Sequence, residues 1–203
     1  MQSMLYVISL FFYKLGIILA GPFNQKAREF LYGRRLTWKK LGAIHQDPAP
    51  KIWIHCASLG EFEQGRPVIE KLRPRYPSHR IILTFFSPSG YTVRRNYEGA
   101  DHVLYLPLDS SGNARKWLDR LNPQLAIFVK YEFWHFYMKE LSERNIPILS
   151  ISSIFREDQV YFRSYGEFYR KILREVEHFF VQDSISAKLL DKIGLQNVTV
   201  AGD

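Results

Sequence analysis

Ile52–Glu61 reads IWIHCASLGE, and the fold follows from this stretch and its recurrences down the chain. Ile52–Ala57 is an apolar run rich in β-formers, and Ser58-Leu59-Gly60 breaks it. Apolar residues then return at Val68, Ile69 and Leu72, the spacing of one helix face, which ends near Pro74 and Pro77. The same order repeats. Arg80–Phe86 is a strand, and Ser87-Pro88-Ser89-Gly90 opens a helix. Val103–Leu106 is a strand closed by Pro107, with a helix over Ser111–Leu121. Leu125–Val129 precedes a helix over Phe133–Arg144. Ile148–Ile151 leads through a polar loop, Ser152–Asp158, into a long helix over Tyr161–Glu175. His178–Val181 precedes a helix over Ser184–Ile193, and Val198–Val200 is a last strand. Strands alternating with helices make βαβ units with parallel pairing. These strands are apolar throughout rather than on alternate residues, as expected where helices cover both faces. The expected class is α/β, a doubly wound parallel, Rossmann-like sheet over 51–203.

Upstream, Met4–Ala20 (MLYVISLFFYKLGIILA) is apolar but for Ser9, Lys14 and Gly16, and its 17 residues sit at the lower limit for crossing a bilayer. Gly21-Pro22 ends a helix there. Beyond lie Lys26, Arg28, Arg34, Arg35, Lys39 and Lys40 against one acid, Glu29. Cytoplasmic flanks of anchors carry this bias. Residues 1–22 therefore read as a membrane anchor or interfacial helix. A helix packed on the domain is the second reading. A signal peptide is the third, disfavoured because no basic residue precedes the apolar run. Residues 23–50 read as a basic juxtamembrane region, with Gly42–Pro50 (GAIHQDPAP) as linker.

The 203 residues are 46% hydrophobic and 24% charged, a globular composition, and the net charge of +8 asks for an anionic partner. The single cysteine, Cys56, excludes an internal disulfide and fits a reducing compartment. Gly60 and Gly65 have P-loop spacing, but Arg66-Pro67 stands where Lys-Ser/Thr would touch phosphate and magnesium. No G-x-G-x-x-G occurs, so the dinucleotide fingerprint is absent; no C-x-x-C or zincin histidine pair offers a metal site, no G-x-S-x-G supports a serine hydrolase, and no cofactor is expected. His55 and Cys56 are adjacent in a strand and point to opposite faces, which reads as a structural pair.

In an open parallel sheet the ligand lies beyond the carboxyl ends of the strands. The candidate residues fall there: Ser58, Gly60 and Glu61 after the first strand, Ser89 and Gly90 after the second. Lys130, Tyr131 and Glu132 follow the fourth, and Ser152-Ser153 with Arg156 the fifth. The helix starts at Gly60 and at Ser89-Gly90 offer N–H groups to an anion, or are ordinary turn chemistry. Glu61 beside a helix N-terminus is either a catalytic carboxylate or a plain helix-start acid.

At these residues the chain resembles the Kdo transferases of lipopolysaccharide biosynthesis, GT-B-fold glycosyltransferases that move an eight-carbon acid sugar. The stretches that carry the resemblance are Trp53–Glu61, Leu83-Thr84 through Ser89-Gly90, Tyr105–Asp109, Glu132-Phe133-Trp134, Gln182-Asp183 and Ala201-Gly202. Lys130 and Tyr131 replace the first two residues of the family's Glu-Thr-Glu, and His135 replaces its proline. Ser152-Ser153-Ile154 replaces the family's Asn-Ala-Arg, with Arg156 as the candidate stand-in for the arginine. The resemblance implies an inverting, metal-free transfer of Kdo from CMP-Kdo to a lipid A precursor. Glu61 would be general base, and Ser58, Gly60, Ser89, Gly90, Lys130, Glu132 and Arg156 would bind substrate. It further implies a membrane surface and no nucleic acid as partner, a place on the cytoplasmic face of the bacterial inner membrane, and a separate C-terminal donor domain that this chain lacks, leaving it inactive alone. A membrane-attached anion-binding α/β module, or another GT-B nucleotide-sugar transferase, is the alternative.

Overall fold

The computed structural model describes residues 2–202. Two helices lead, α1 (Gln2–Ala20) and α2 (Gln25–Gln46). The alternating part follows: β1 (Lys51–Cys56), α3 (Leu59–Arg75), β2 (Arg80–Phe85), α4 (Pro88–Arg94), β3 (His102–Tyr105), α5 (Ser111–Leu121), β4 (Leu125–Val129), α6 (His135–Glu143) and β5 (Ile148–Ser153). It ends with α7 (Glu167–Leu173), β6 (His178–Val181), α8 (Ser184–Lys192) and β7 (Val198–Val200). The strands form one sheet in the order β3-β2-β1-β4-β5-β6-β7, parallel throughout. Chain direction across the sheet reverses between β1 and β4, which pair with Ile54 opposite Ile127. This is the crevice where an open sheet gathers ligands.

Alternate strand residues feed two separate cores. Trp53, Phe128 and Ile148 face α2, α5 and α6, where they meet Leu41, Trp117 and Tyr137. Ile52, Ile54, Cys56, Leu83 and Phe85 face α3, where Phe62 and Ile69 cover them. Helices on both faces explain why no strand alternates polar with apolar, and confirm the doubly wound class.

Three boundaries differ from the sequence reading. The linker expected over Gly42–Pro50 is helical as far as Gln46, because Leu41 and Ile44 are core residues of α2. Far from a loose strap, α2 lies against the sheet edge, where Thr37 Oγ1 accepts from the Tyr105 N–H at 3.1 Å. Gly33 allows the close approach: a Cβ there would fall 2.2 Å from the Tyr105 ring. The long helix expected over Tyr161–Glu175 is instead a 3-10 turn, Val160–Phe162, and the short α7. Gly166 permits the break, since the chain there is pressed against the Val160 carbonyl and a Cβ would lie 2.0 Å from that oxygen. Finally, α6 begins at His135 rather than Phe133, leaving Tyr131–Trp134 as an irregular segment above β4.

Helix α1 turns back on α2 with a bend of 115°, and no single helix among the described residues is long and apolar enough to cross a membrane. Phe11, Phe12 and Leu19 of α1 are each more than 60% exposed. Its polar tether to the domain is the Tyr6 hydroxyl, which donates to Asp109 Oδ2 at 2.6 Å.

Candidate active site

The loops after β1 and β4 face each other across the crevice. Ser58 is the N-cap of α3 and Glu61 lies in its first turn, the spacing of a capping box. A plain capping box would have the Ser58 hydroxyl accept from the helix backbone, and it does not. It donates instead to Glu61 Oε2. From the other side, Lys130 Nζ lies 3.7 Å from Glu61 Oε1. Lys130 sits at φ 65°, a left-handed conformation uncommon for a side-chain-bearing residue, directly after β4. Its carbonyl accepts from the hydroxyls of Ser150 and Ser153 at 3.2 and 2.9 Å, which hold the turn from below. Strain of this kind persists where surroundings over-determine it.

Partial burial works against charge on Glu61. The Ser58 hydroxyl, nearby backbone N–H groups and the Lys130 ammonium outweigh it, and hold the carboxyl below the usual glutamate range. Glu61 is thus ionised at neutral pH, with Oε1 facing the Lys130 ammonium and Oε2 held by Ser58. Gly60 adds room: a Cβ there would meet only Ser58 Oγ, at 3.8 Å, so no packing demand explains the glycine.

Glu132, the second carboxylate, is held differently. Trp134 Nε1 donates to its Oε2 at 3.1 Å, and His55 Nε2 lies 3.7 Å from the same oxygen. His55 is fully buried, and its Nδ1 contacts Thr84 Oγ1 at 2.9 Å. Thr84 Oγ1 also accepts from Trp53 Nε1 at 2.8 Å. The Thr84 hydroxyl also reaches the Ile54 carbonyl at 3.3 Å, so this threonine anchors the imidazole from below and leaves Nε2 as the ring atom that faces Glu132. The pair that read as structural in the sequence is therefore split in role. Cys56 packs in the α3 core, where burial pushes its thiol up, while His55 faces the site.

The remaining sequence candidates separate. The β2 turn closes on the β1 turn, with Ser87 N–H bonded to the Ala57 carbonyl at 2.7 Å. Within it, the Ser89 N–H is taken by Ser87 Oγ at 3.2 Å, so turn chemistry occupies the donor that an anion would use. Gly90 is required by packing, since a Cβ would sit 2.2 Å from the Phe85 ring and 3.0 Å from the Ser58 carbonyl carbon. These two residues shape the floor beneath Ser58. Arg156 is exposed in the loop after β5, with its backbone N–H on Gln159 Oε1 at 3.1 Å. No ion pair ties its side chain to Glu61 or Glu132 among the described residues.

Two residues outside the sequence candidates frame the site. Arg34 of α2 is 7% exposed, donates to the Phe86 carbonyl at 2.9 Å, and sits 3.3 Å from the Phe30 ring centroid. Burial pulls its guanidinium down to about 9, still cationic at neutral pH. Phe86 in turn stacks on Trp134 with centroids 4.8 Å apart. Asp109, 2% exposed, accepts from the Phe136 and Tyr137 N–H groups at the start of α6 at 3.0 and 3.1 Å, and from Tyr6. Burial raises it to about 6. Its partners lie 27 residues and more away, so no local pattern announced it.

Solved structures share this fold. UDP-GlcNAc 2-epimerase from Methanocaldococcus jannaschii superposes with a TM-score of 0.54 at 17% identity, over 75% of this chain and 45% of the epimerase. The epimerase of Neisseria meningitidis, solved with UDP-GlcNAc, gives 0.53 at 16%, over 75% and 46%. In sequence, 103 residues are 32% identical to the 3-deoxy-D-manno-octulosonic acid transferase of Haemophilus influenzae, covering 50% of this chain and 24% of that protein. A bifunctional glycosyltransferase/methyltransferase of Fusobacterium nucleatum is 22% identical over 89% of this chain and 28% of its own length. The chain thus spans about a quarter of the length of these curated relatives. Residues 32–203 match the sequence profile of 3-deoxy-D-manno-octulosonic-acid transferase (Kdo transferase), a stretch running from α2 through every strand and both site loops, and the chain belongs to that family.

Proposed function

We propose that this domain is the acceptor-binding half of an inverting glycosyltransferase that moves Kdo from CMP-Kdo to a lipid A precursor. The observation that carries the reading is the ionised Glu61 between Ser58 and Lys130 at the sheet's switch point. A sugar hydroxyl is a poor nucleophile at neutral pH and needs a proton acceptor as it attacks. In the proposed step the acceptor O–H proton passes to Glu61, the oxygen bonds to the anomeric carbon of Kdo, and the bond to CMP breaks on the opposite face. Lys130 favours the ionised carboxylate before transfer and gains proximity to the phosphorylated acceptor. Glu132, oriented by Trp134 and His55, holds the acceptor rather than its proton.

The donor site is assigned to a second domain. The exposed apolar side of α1, with Lys26, Lys39 and Lys40 close in sequence, supports attachment at the cytoplasmic face of the bacterial inner membrane. Fractionation of the chain and of a version starting at Phe23, which removes α1 and keeps the packed α2, tests the attachment: the first should sediment with membranes and the second should not. Both staying soluble without detergent would remove it. The catalytic half of the reading is tested by Glu61→Gln in the two-domain enzyme, with kcat expected to fall about 10²–10⁴-fold while acceptor binding holds.

A further inference from the structure

Between α1, α2 and the start of α5 lies an open groove of about 650 Å³. Its walls are apolar: Leu10 and Phe11 from α1, Leu31 and Trp38 from α2, and Phe136 from α6. The volume is that of a small-ligand site, about 300–1,000 Å³ in general, and such sites pair apolar walls with a few placed polar groups. Here the placed groups are cations. Lys14 and Arg35 line the groove, are exposed, and form no ion pair among the described residues. The acid on its floor, Asp109, is already engaged by three donors. Uncommitted charge at the groove is therefore positive only. Phe11 belongs both to this wall and to the exposed apolar side of α1, at 61% exposure, so one apolar wall of the groove continues onto the outer surface of that helix.

A relay of side-chain contacts links the groove to the site. Arg34 lines it and donates to Phe86, Phe86 stacks on Trp134, and Trp134 donates to Glu132. From the apolar walls, the unpaired cations and this connection we infer that the groove holds one fatty-acyl chain of the anionic acceptor, with Lys14 and Arg35 taking its negative charge. The inference rests on reading this domain as acceptor-binding and adds where the chain, as opposed to the sugar, is held. The acyl chain stays in the groove while the hydroxyl is presented past Phe86 and Trp134 to the carboxylates.

The test uses the whole chain and dodecyl phosphate below its micellar concentration, titrated calorimetrically. One saturable site per chain is expected, with dodecyltrimethylammonium and inorganic phosphate each binding at least tenfold more weakly. Leu10→Trp, which fills the groove, should weaken dodecyl phosphate at least tenfold. Leu19→Trp, on the exposed side of the same helix, should leave it unchanged, and circular dichroism checks that both fold. Equal binding by the two variants would show adsorption to α1 as a whole and overturn the groove. So would equal binding of the cationic amphiphile, or a dimer that Leu10→Trp converts to monomer, which would give the groove to a second copy. The titration contains no donor sugar, so its failure removes the groove and leaves the Glu61 assignment untouched.

Discussion

Lys130 Nζ stands 3.7 Å from Glu61 Oε1 although 69 residues separate them, and the parallel pairing of β1 with β4 is what brings them together. With the Ser58 hydroxyl on the other oxygen, this contact keeps Glu61 ionised below the usual glutamate range. A base must be deprotonated to work, so activity should fall on the acid side only as pH drops through that lowered value. Lys130→Met and Ser58→Ala each remove a group that favours the anion. Both should move the acid limb of the kcat/KM profile to higher pH, measured by Kdo transfer between pH 4 and 8. An acid limb that stays in place in both variants would mean that another group titrates.

Asp109 carries the opposite shift. Burial raises it to about 6 from 3.8, so the folded state binds its proton more tightly than the unfolded chain. The sign follows: the contribution to stability is fully present below about pH 4 and is lost as pH rises through about 6. Two pH units correspond to about 3 kcal/mol. Urea unfolding of wild type and Asp109→Asn at pH 4.5 and 7 should show the wild type gaining on the variant as pH falls. Parallel curves would show that Asp109 is not buried as described.

Glu132 should behave as a positioned binding group. Trp134→Phe keeps the stack on Phe86 but removes the Nε1 donor. KM for the acceptor should rise about ten- to a hundredfold, the worth of one hydrogen bond to a charged group, with kcat nearly unchanged. His55→Gln, which keeps a polar group near Glu132, should be milder than His55→Phe. A fall in kcat without a change in KM would move Glu132 into the chemical step.

Much of this was legible because the signals are local. Ile52–Ala57 and Leu125–Val129 declare their strands by composition, and Ser58-Leu59-Gly60 declares its turn, so the crevice and both its loops could be placed before any contact was known. What escaped depends on long-range packing. Asp109 caps a helix begun 26 residues later, and nothing near it in sequence differs from a loop acid. Gly166 permits a break in a helix that periodicity continued, at a backbone contact with Val160 that composition does not encode. His55 read as structural because it and Cys56 are adjacent in a strand and point to opposite faces, and only the fold brings Glu132 to its Nε2. At Ser89-Gly90 the sequence left an anion-facing helix start and ordinary turn chemistry open, and what it could not encode is the Phe85 ring that packs against Gly90.

The position of Glu61 as the last residue of a capping box, third in the helix, leaves one plain rival, that it serves only to start α3. Glutamine supports that start as well as glutamate does, so a structural role survives the change and a proton-accepting role does not. The decisive measurement is kcat for Kdo transfer from CMP-Kdo to a lipid A precursor, compared between Glu61→Gln and Glu132→Gln in the two-domain enzyme. Glu61→Gln should lower kcat by about two to four orders of magnitude with the melting temperature preserved, and Glu132→Gln should act mainly on KM. Wild-type kcat in Glu61→Gln, with kcat abolished in Glu132→Gln, would contradict the account and exchange the two roles.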